Sequence, residues 1–268
     1  MLQAYSEQYQ TNEFGQPIFR SGTYIPLGIN FVQETTVFRE FGPLSGSTVR
    51  AAYEYAPDFG NNTLSRQTAD LDARYYQRLG ASGLLALRAR GFKSWGEAPD
   101  FMYFGGNSEM RGYEYLQFAG DTSAFFNAEL RFPLIEAMLT PIGVLGGIRG
   151  VFFANMGGGH FNGQDFTWWK SGSELYTPIN GFVPVPGSPG QQAPVYGTPQ
   201  VVDGLRLVDA RASYGVGVET FALGFPIHFD WAWKTLFNRD WEDLLFRPYG
   251  GSDEFRKVKF SVWIGYDF

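Results

Sequence analysis

The last eleven residues, 258–268, constrain the fold more than any other segment of the chain. Apolar residues occupy every second position: Val258, Phe260, Val262, Ile264, Tyr266 and Phe268. Polar residues or glycine lie between them, and only Trp263 breaks the alternation. A period of two predicts a β-strand with one apolar and one polar face. The strand fits either the wall of a membrane barrel, with lipid outside and a polar lumen inside, or the edge of a soluble β-sandwich.

Composition favours the membrane barrel. Aromatic residues make up 18% of the chain, with 26 Phe, 15 Tyr and 7 Trp, which is more than a soluble core of this size needs. Two interfacial aromatic girdles and a lipid-facing band would use them. The mean hydropathy is -0.20 and no run of about 18 apolar residues occurs, so the sequence excludes membrane-spanning helices.

Net charge, cysteine content and the first residues bear on the function and location of the protein. The net charge of -6 leaves no basic footprint for nucleic acid. The absence of cysteine fits an oxidising envelope, although cytosolic proteins can also lack it. Residues 1–24 contain no apolar signal-peptide core, so we expect that the chain is mature or that its front is missing.

Strand patterns and loop lengths follow a strict order. We predict strands near 24–38, 47–56, 68–79, 83–92, 123–132, 142–154, 206–222, 226–234 and 257–268. Short connections at 39–46, 80–82, 133–141 and 223–225 alternate with longer ones at 57–67, 93–122, 155–205 and 235–256. Short turns on one side and long loops on the other are typical of outer-membrane barrels. Residues 240–246 fit either a short amphipathic helix or an irregular aromatic loop.

The predicted fold is therefore all-β, an antiparallel transmembrane β-barrel of outer-membrane type. We expect a single domain over 1–268, with a poorly patterned start at 1–23 and long outer loops at 93–122, 155–205 and 235–256.

Three internal segments carry a more specific signal. Residues 104–113 read Phe-Gly-Gly-Asn-Ser-Glu-Met-Arg-Gly-Tyr, residues 126–134 read Phe-Asn-Ala-Glu-Leu-Arg-Phe-Pro-Leu, and residues 149–158 read Arg-Gly-Val-Phe-Phe-Ala-Asn-Met-Gly-Gly. Together with the final strand, and in this order, they resemble the bacterial surface antigen family of BamA/TamA-type outer-membrane assembly factors. The first segment resembles the family's loop six. Residues 28–55, with Gly-Pro-Leu-Ser-Gly at 42–46, resemble a branch in which a TolB-like propeller precedes the barrel.

The resemblance implies a location and a role. It implies an integral protein of the bacterial outer membrane that inserts or translocates proteins, with no enzymatic activity, cofactor or metal. The expected partners are outer-membrane lipids, client outer-membrane proteins or another chain that completes the barrel. The family barrel has about sixteen strands, and the nine or ten visible here match its C-terminal part. The chain is therefore expected to be a fragment, to close with another chain, or to form a smaller barrel.

The same resemblance implies the site residues. The loop-six motif comprises Gly105, Gly106, Arg111, Gly112 and Tyr113, and Phe260, Val262, Ile264, Tyr266 and Phe268 would form the C-terminal strand signal. A charge removed from water needs a partner. The resemblance implies that wall acids hold Arg111, and Glu129 matches one of them. The second acid falls near Asn155, an amide, which predicts a weaker clamp. Asn127 and Arg131 share the lumen-facing parity of Glu129.

Catalytic motifs are absent from the sequence. The chain has two histidines, His160 and His228, no cysteine, no nucleophile elbow and no P-loop. Acidic and basic residues on one strand face are predicted to be paired lumen charges: Asp70, Asp72, Arg74 and Arg78. Three other functions remain open: a structural or partner-binding barrel subunit, a passive porin, and a soluble β-sandwich enzyme.

Overall fold

One antiparallel sheet organises the molecule. The computed structural model describes residues 23–39, 42–60, 63–80, 82–135, 138–140, 143–145, 147–187, 190–222, 225–265 and 268. Its nine long strands are β1 (Leu27–Glu34), β2 (Gly42–Ala56), β3 (Arg66–Leu79), β4 (Gly83–Gly96), β5 (Thr122–Ile135), β6 (Ile148–His160), β7 (Arg211–Ala222), β8 (Phe225–Thr235) and β9 (Lys259–Ile264). Each strand pairs with the next, and the short strand Val37–Arg39 pairs with β2. Within the described residues, β1 pairs only with β2, and β9 only with β8.

The two faces of the sheet invert the pattern of a soluble protein. Along β5, the inward positions include Asn127, Glu129 and Arg131, and all three are buried. The outward positions include Phe126 and Leu130, which are exposed. The same outward exposure recurs on the later strands, at Phe152, Tyr214, Val216, Phe260, Val262 and Ile264. Buried charges facing inward and exposed apolar side chains facing outward are the arrangement that a lipid environment favours.

Loop lengths differ at the two ends of the sheet, as the sequence predicts. Three residues separate β3 from β4, two separate β7 from β8, and the connection from β5 to β6 contains the small ladder of Met138–Thr140 with Gly143–Leu145. Residues 57–65, 97–121, 161–210 and 236–258 form the connections at the opposite end. All nine predicted strands are present. Residues 1–22 of the poorly patterned start lie outside the described residues, and Thr23 forms a bridge with Thr63.

Strand β6 extends further than predicted. The sequence predicts this strand over 142–154, whereas the structure begins it at Ile148 and continues the pairing to His160. The glycines serve close packing: a Cβ on Gly157 would lie 2.8 Å from the Cβ of Phe125 and 3.0 Å from the ring of Phe104. The predicted loop 155–205 therefore begins later, and Asn155 lies within the sheet.

Two of the long outer loops form one cap. Residues 161–210 fold into three short ladders: Trp169–Lys170 with Arg206–Leu207, Glu174–Tyr176 with Gln200–Val202, and Ile179–Pro184 with Gln192–Tyr196. Residues 236–258 contain α1 (Arg239–Leu245), a 3₁₀ turn (Arg247–Tyr249) and α2 (Gly251–Phe255). We call residues 161–210 and 236–258 the outer cap. Its core contains side chains from both loops: Val202, Leu207, Leu236, Trp241 and Leu244.

Of the two predicted forms of residues 240–246, the structure has the helix, α1. The Asn238 side chain caps it by accepting a hydrogen bond from the Trp241 backbone N–H at 2.9 Å. None of the described helices is long and apolar enough to cross a membrane.

Candidate functional site

The loop between β4 and β5 folds onto the inner face of the sheet. Its two arms pair with each other as Met102–Phe104 and Phe118–Gly120. Phe104 is fully buried, and its ring stacks on Phe118 at 5.1 Å and on Phe125 of β5 at 5.3 Å. Met110 and Tyr113 complete this apolar cluster. The cluster anchors the loop against the wall and positions its tip.

Glycines shape the tip of the loop. Gly105, Gly106 and Gly112 have φ values of 133°, 87° and 89°, in the region that favours glycine. A Cβ on Gly105 would lie 2.7 Å from the carbonyl oxygen of Glu114, and one on Gly112 would lie 3.0 Å from the Cβ of Ala232. The glycines of the motif therefore permit both the turn and its close contact with β8.

Arg111 lies at the centre of a buried ion-pair network. Its side chain is 2% exposed, and Nη2 lies 2.7 Å from Oε1 of Glu129 on β5. Its Nε donates to the carbonyl oxygen of Asn107 at 2.9 Å and lies 3.4 Å from Oδ2 of Asp230 on β8. The guanidinium also lies 4.6 Å from the ring centre of Phe153 on β6. One side chain thus joins the loop to three strands that are separated in sequence.

Asp230 is the second carboxylate of this network, and it was not among the predicted partners of Arg111. The expected position near Asn155 is wrong, because the side chain of Asn155 contacts Asn127 at 2.8 Å and Ser213 at 3.2 Å instead of Arg111. Asp230 lies on the inner face of β8, two residues after His228, and this parity was the available signal. Arg111 therefore has two carboxylate partners, Glu129 and Asp230, and the strength of the clamp stays a prediction.

Two further wall contacts hold the loop. The Tyr113 hydroxyl donates to the carbonyl oxygen of Ala212 at 3.0 Å, and the Asn127 amide donates to the carbonyl oxygen of Glu109. Arg131 contributes indirectly, because its Nε donates to Oε2 of Glu129 at 2.8 Å while Arg111 binds Oε1. The structure thus brings together the predicted residues Arg111, Tyr113, Asn127, Glu129 and Arg131.

The edge strand β9 is tied to the same network. Trp263 donates its indole N–H to Oδ2 of Asp230 at 2.7 Å, and its ring lies parallel to that of His228, with centres 3.7 Å apart. Lys259 Nζ lies 2.6 Å from Oε1 of Glu114 and donates to the carbonyl oxygen of Tyr113 at 3.3 Å. Hydrogen bonding from Lys259 lowers the pKa of Glu114 below its ordinary value of 4.5.

Residues 34–268 match the family model of the Omp85 superfamily domain. The chain belongs to the Omp85 superfamily. This superfamily comprises outer-membrane β-barrel proteins of protein assembly and translocation. The antiparallel sheet is accordingly a transmembrane β-barrel wall, and its inner face is the lumen side. No curated protein matches the chain.

The predicted terminal strand of the Omp85 domain differs from the observed one. Strand β9 ends at Ile264, and Tyr266 lies outside the described residues. Phe260, Val262 and Ile264 face outward as expected, but Phe268 is buried on the lumen side, where Arg131 donates to its carbonyl oxygen at 3.3 Å. Strand parity carried through Gly265 predicted an outward Phe268, whereas the pairing of β9 with β8 extends only to Ile264. Trp263, which breaks the apolar alternation, faces the lumen.

Among the four predicted lumen charges of the Omp85 wall, Asp70, Asp72 and Arg74 form ion pairs. Asp72 accepts from Arg74 on its own strand and from Arg88 on β4, both at 2.9 Å, and Asp70 pairs with Arg90 at 3.1 Å. These contacts explain the charges on β3 as one ion pair within the strand and two ion pairs with β4.

Proposed function

We propose that this Omp85 domain inserts or translocates proteins at the bacterial outer membrane, with β1 and β9 as the two sides of a lateral opening. The observation that carries the proposal is the free hydrogen-bonding edge of each strand within the described residues. Backbone groups at a sheet edge need partners in lipid. A client strand that pairs with either edge would supply them by β-augmentation. The order of the sequence motifs supports a BamA/TamA-type role within the superfamily, and the proposal contains no enzymatic step.

The attachment of the loop supports the same proposal. Lys259 belongs to β9 and binds the loop directly, while Asp230 binds both Arg111 and the Trp263 indole of β9. The loop therefore stabilises one side of the opening from inside the lumen. Releasing these contacts would free β9 to move without breaking the rest of the sheet.

Site-specific photo-crosslinking in outer membranes tests the proposal. A photoreactive residue at Ile29 of β1 or at Val262 of β9 is expected to capture client proteins during their assembly. Phe126 is the matched control, because it also faces outward and is exposed but lies in the middle of the sheet on β5. Equal capture at all three positions, or no capture at the edges, would refute a lateral opening.

We predict that Lys259→Glu weakens the attachment of β9. The substitution places two carboxylates together where a 2.6 Å ion pair exists, so the edge should separate from the loop. Crosslinking between cysteines introduced at positions 114 and 259 of an otherwise unchanged chain would verify that the two positions meet. Client insertion in vesicles is expected to change by a few-fold, and the reversed pair Lys259→Glu with Glu114→Lys should restore it. A double variant no better than the single one would argue against the contact.

Acid should act on the same contact. The pKa of Glu114 is lowered in the folded protein, so its attraction to Lys259 is present above the ordinary value of 4.5 and is lost as the pH falls through the lower, folded value. Client insertion by the wild type should therefore resemble that of Glu114→Gln only under acidic conditions. A difference between the two proteins that persists unchanged to strongly acidic pH would count against this contact.

A second candidate function rests on the outer cap. Leu175 and Val201 are register partners in a ladder of the cap, and they are 67% and 62% exposed. Exposed apolar pairs of this kind favour a binding partner at the cell surface, as for a structural barrel subunit without translocase activity. Photo-crosslinking at Leu175 that captures a constant partner, with no client captured at β9, would favour this function.

A further inference from the structure

Phe268 occupies a defined pocket on the lumen wall. Its ring packs in a buried cluster with Tyr76 of β3 and with Leu84 and Ala86 of β4, and it is only 5% exposed. The apolar part of this pocket lies on β3 and β4, and the pocket shares Arg131 of β5 with the Arg111 network. We call Tyr76, Leu84, Ala86, Arg88 and Arg131 the aromatic pocket.

Two guanidinium groups complete the pocket. Arg88 lies 5.9 Å and Arg131 5.6 Å from the ring centre of Phe268, within the range of cation–π attraction. Arg131 also donates to the carbonyl oxygen of Phe268 at 3.3 Å. The pocket thus recognises two features of its occupant, an aromatic ring and a nearby backbone oxygen.

The local charge balance favours an oxygen-bearing occupant. Arg74 and Arg88 share the single carboxylate of Asp72, and Arg111 and Arg131 share that of Glu129, with Asp230 as the second partner of Arg111. Within the described residues, the carboxylates of Asp72 and Glu129 are therefore each shared by two guanidinium groups. A carbonyl or carboxylate oxygen placed at Arg131 adds an acceptor beside a carboxylate that already serves two guanidinium groups.

We propose that the aromatic pocket is a binding site for a peptide segment with an aromatic residue, and that Phe268 occupies it in cis. The occupant is held by one ring and one hydrogen bond, with no covalent link to the pocket, so another segment of the same chemistry can replace it. Strand β9 ends four residues before Phe268. Movement of β9 would therefore withdraw Phe268 and empty the pocket. Use of the pocket by a client rests on the proposed function, whereas peptide binding itself does not.

A synthetic peptide of residues 258–268, labelled at its amino terminus, provides the probe. Its binding to the full chain in mild detergent would be followed by fluorescence anisotropy. A tethered ligand competes at an effective concentration near the millimolar range, so the wild type should bind the free peptide weakly. The variant Phe268→Ala empties the pocket and is expected to bind at least about tenfold more tightly. A peptide with alanine in place of its last phenylalanine should lose this gain.

Two matched alanine-to-leucine substitutions distinguish binding in the pocket from binding elsewhere on the protein. Ala86→Leu in the Phe268→Ala background fills the pocket without changing charge, and it should return affinity to the wild-type level or below. Ala128→Leu is the control, since Ala128 faces outward on the neighbouring strand β5. Equal binding by wild type and Phe268→Ala, or by both peptides, would overturn the proposal and indicate pairing at a strand edge. Peptide binding as expected, with no client crosslinked at β1 or β9, would retain the pocket and reject the proposed function.

Discussion

Arg111→Ala is expected to release the loop from the lumen and to lower the free energy of unfolding by about 3 kcal/mol. Removing one partner of a buried ion pair leaves a charge without compensation, which costs about 3–5 kcal/mol. The lower end applies here, because Glu129 keeps Arg131 and Asp230 keeps the indole N–H of Trp263. Denaturant unfolding of the protein in liposomes measures the loss. Protease added outside should at the same time cleave residues 97–121.

The control for this prediction is a second lumen arginine. Arg90→Ala removes a partner of Asp70, but both side chains are about one-third exposed, so the loss should stay below about 1 kcal/mol. Arg111→Lys keeps the charge and loses the planar fork, and an intermediate effect is expected. If Arg111→Ala and Arg90→Ala unfold alike and the loop stays protected, the buried network does not hold the loop.

A double variant tests whether Asp230 belongs to the network. Asp230→Asn in the Arg111→Ala background removes the carboxylate that the first substitution leaves unpaired. The two changes should therefore cost less together than the sum of their separate costs, because they act on one contact. Additive costs would mean that Glu129 alone binds Arg111 strongly and that the 3.4 Å approach of Asp230 contributes little.

The sequence predicts the strands and the contact between Arg111 and Glu129 for a physical reason. In a barrel wall, alternation separates lipid from lumen, so Phe126 and Leu130 are exposed while Glu129 lies inside. The same parity, with the motif resemblance, identifies Glu129 as a partner of Arg111, because β5 directly follows the loop. These relations are local along the chain and need no knowledge of how the sheet curves.

Asp230 and Phe268 could not be predicted in this way. Parity marks Asp70, Asp72, Glu219 and Asp230 equally as inward carboxylates, and only the curvature of the sheet brings β8 to the tip of the loop. For Phe268, the decisive residue is Gly265. A glycine at this position is compatible both with a strand that continues and with a strand that ends. The pocket that accepts the ring is made by β3 and β4, far from β9 in sequence.

Glu242→Ala is expected to open the outer cap while leaving the barrel wall intact. Glu242 is fully buried, accepts from the Leu236 backbone N–H at 2.6 Å, and binds the guanidinium of Arg256. The alanine leaves a buried N–H without its acceptor and a cation without its partner, a local cost of about 3 kcal/mol. Arg256 can turn to solvent because its side chain is 30% exposed, so the cost should not exceed this value.

Hydrogen–deuterium exchange would resolve where the cap opens. Glu254→Ala is the matched control, since Glu254 is exposed and pairs with exposed Lys257, and its exchange should equal that of the wild type. The core of the cap joins Trp241 and Leu244 of one loop to Val202 and Leu207 of the other. Loss of Glu242 should therefore accelerate exchange in both 200–208 and 236–258, as expected for one cooperative unit. Faster exchange confined to 236–258 would mean that the two loops fold independently, and unchanged exchange would contradict the role given to Glu242.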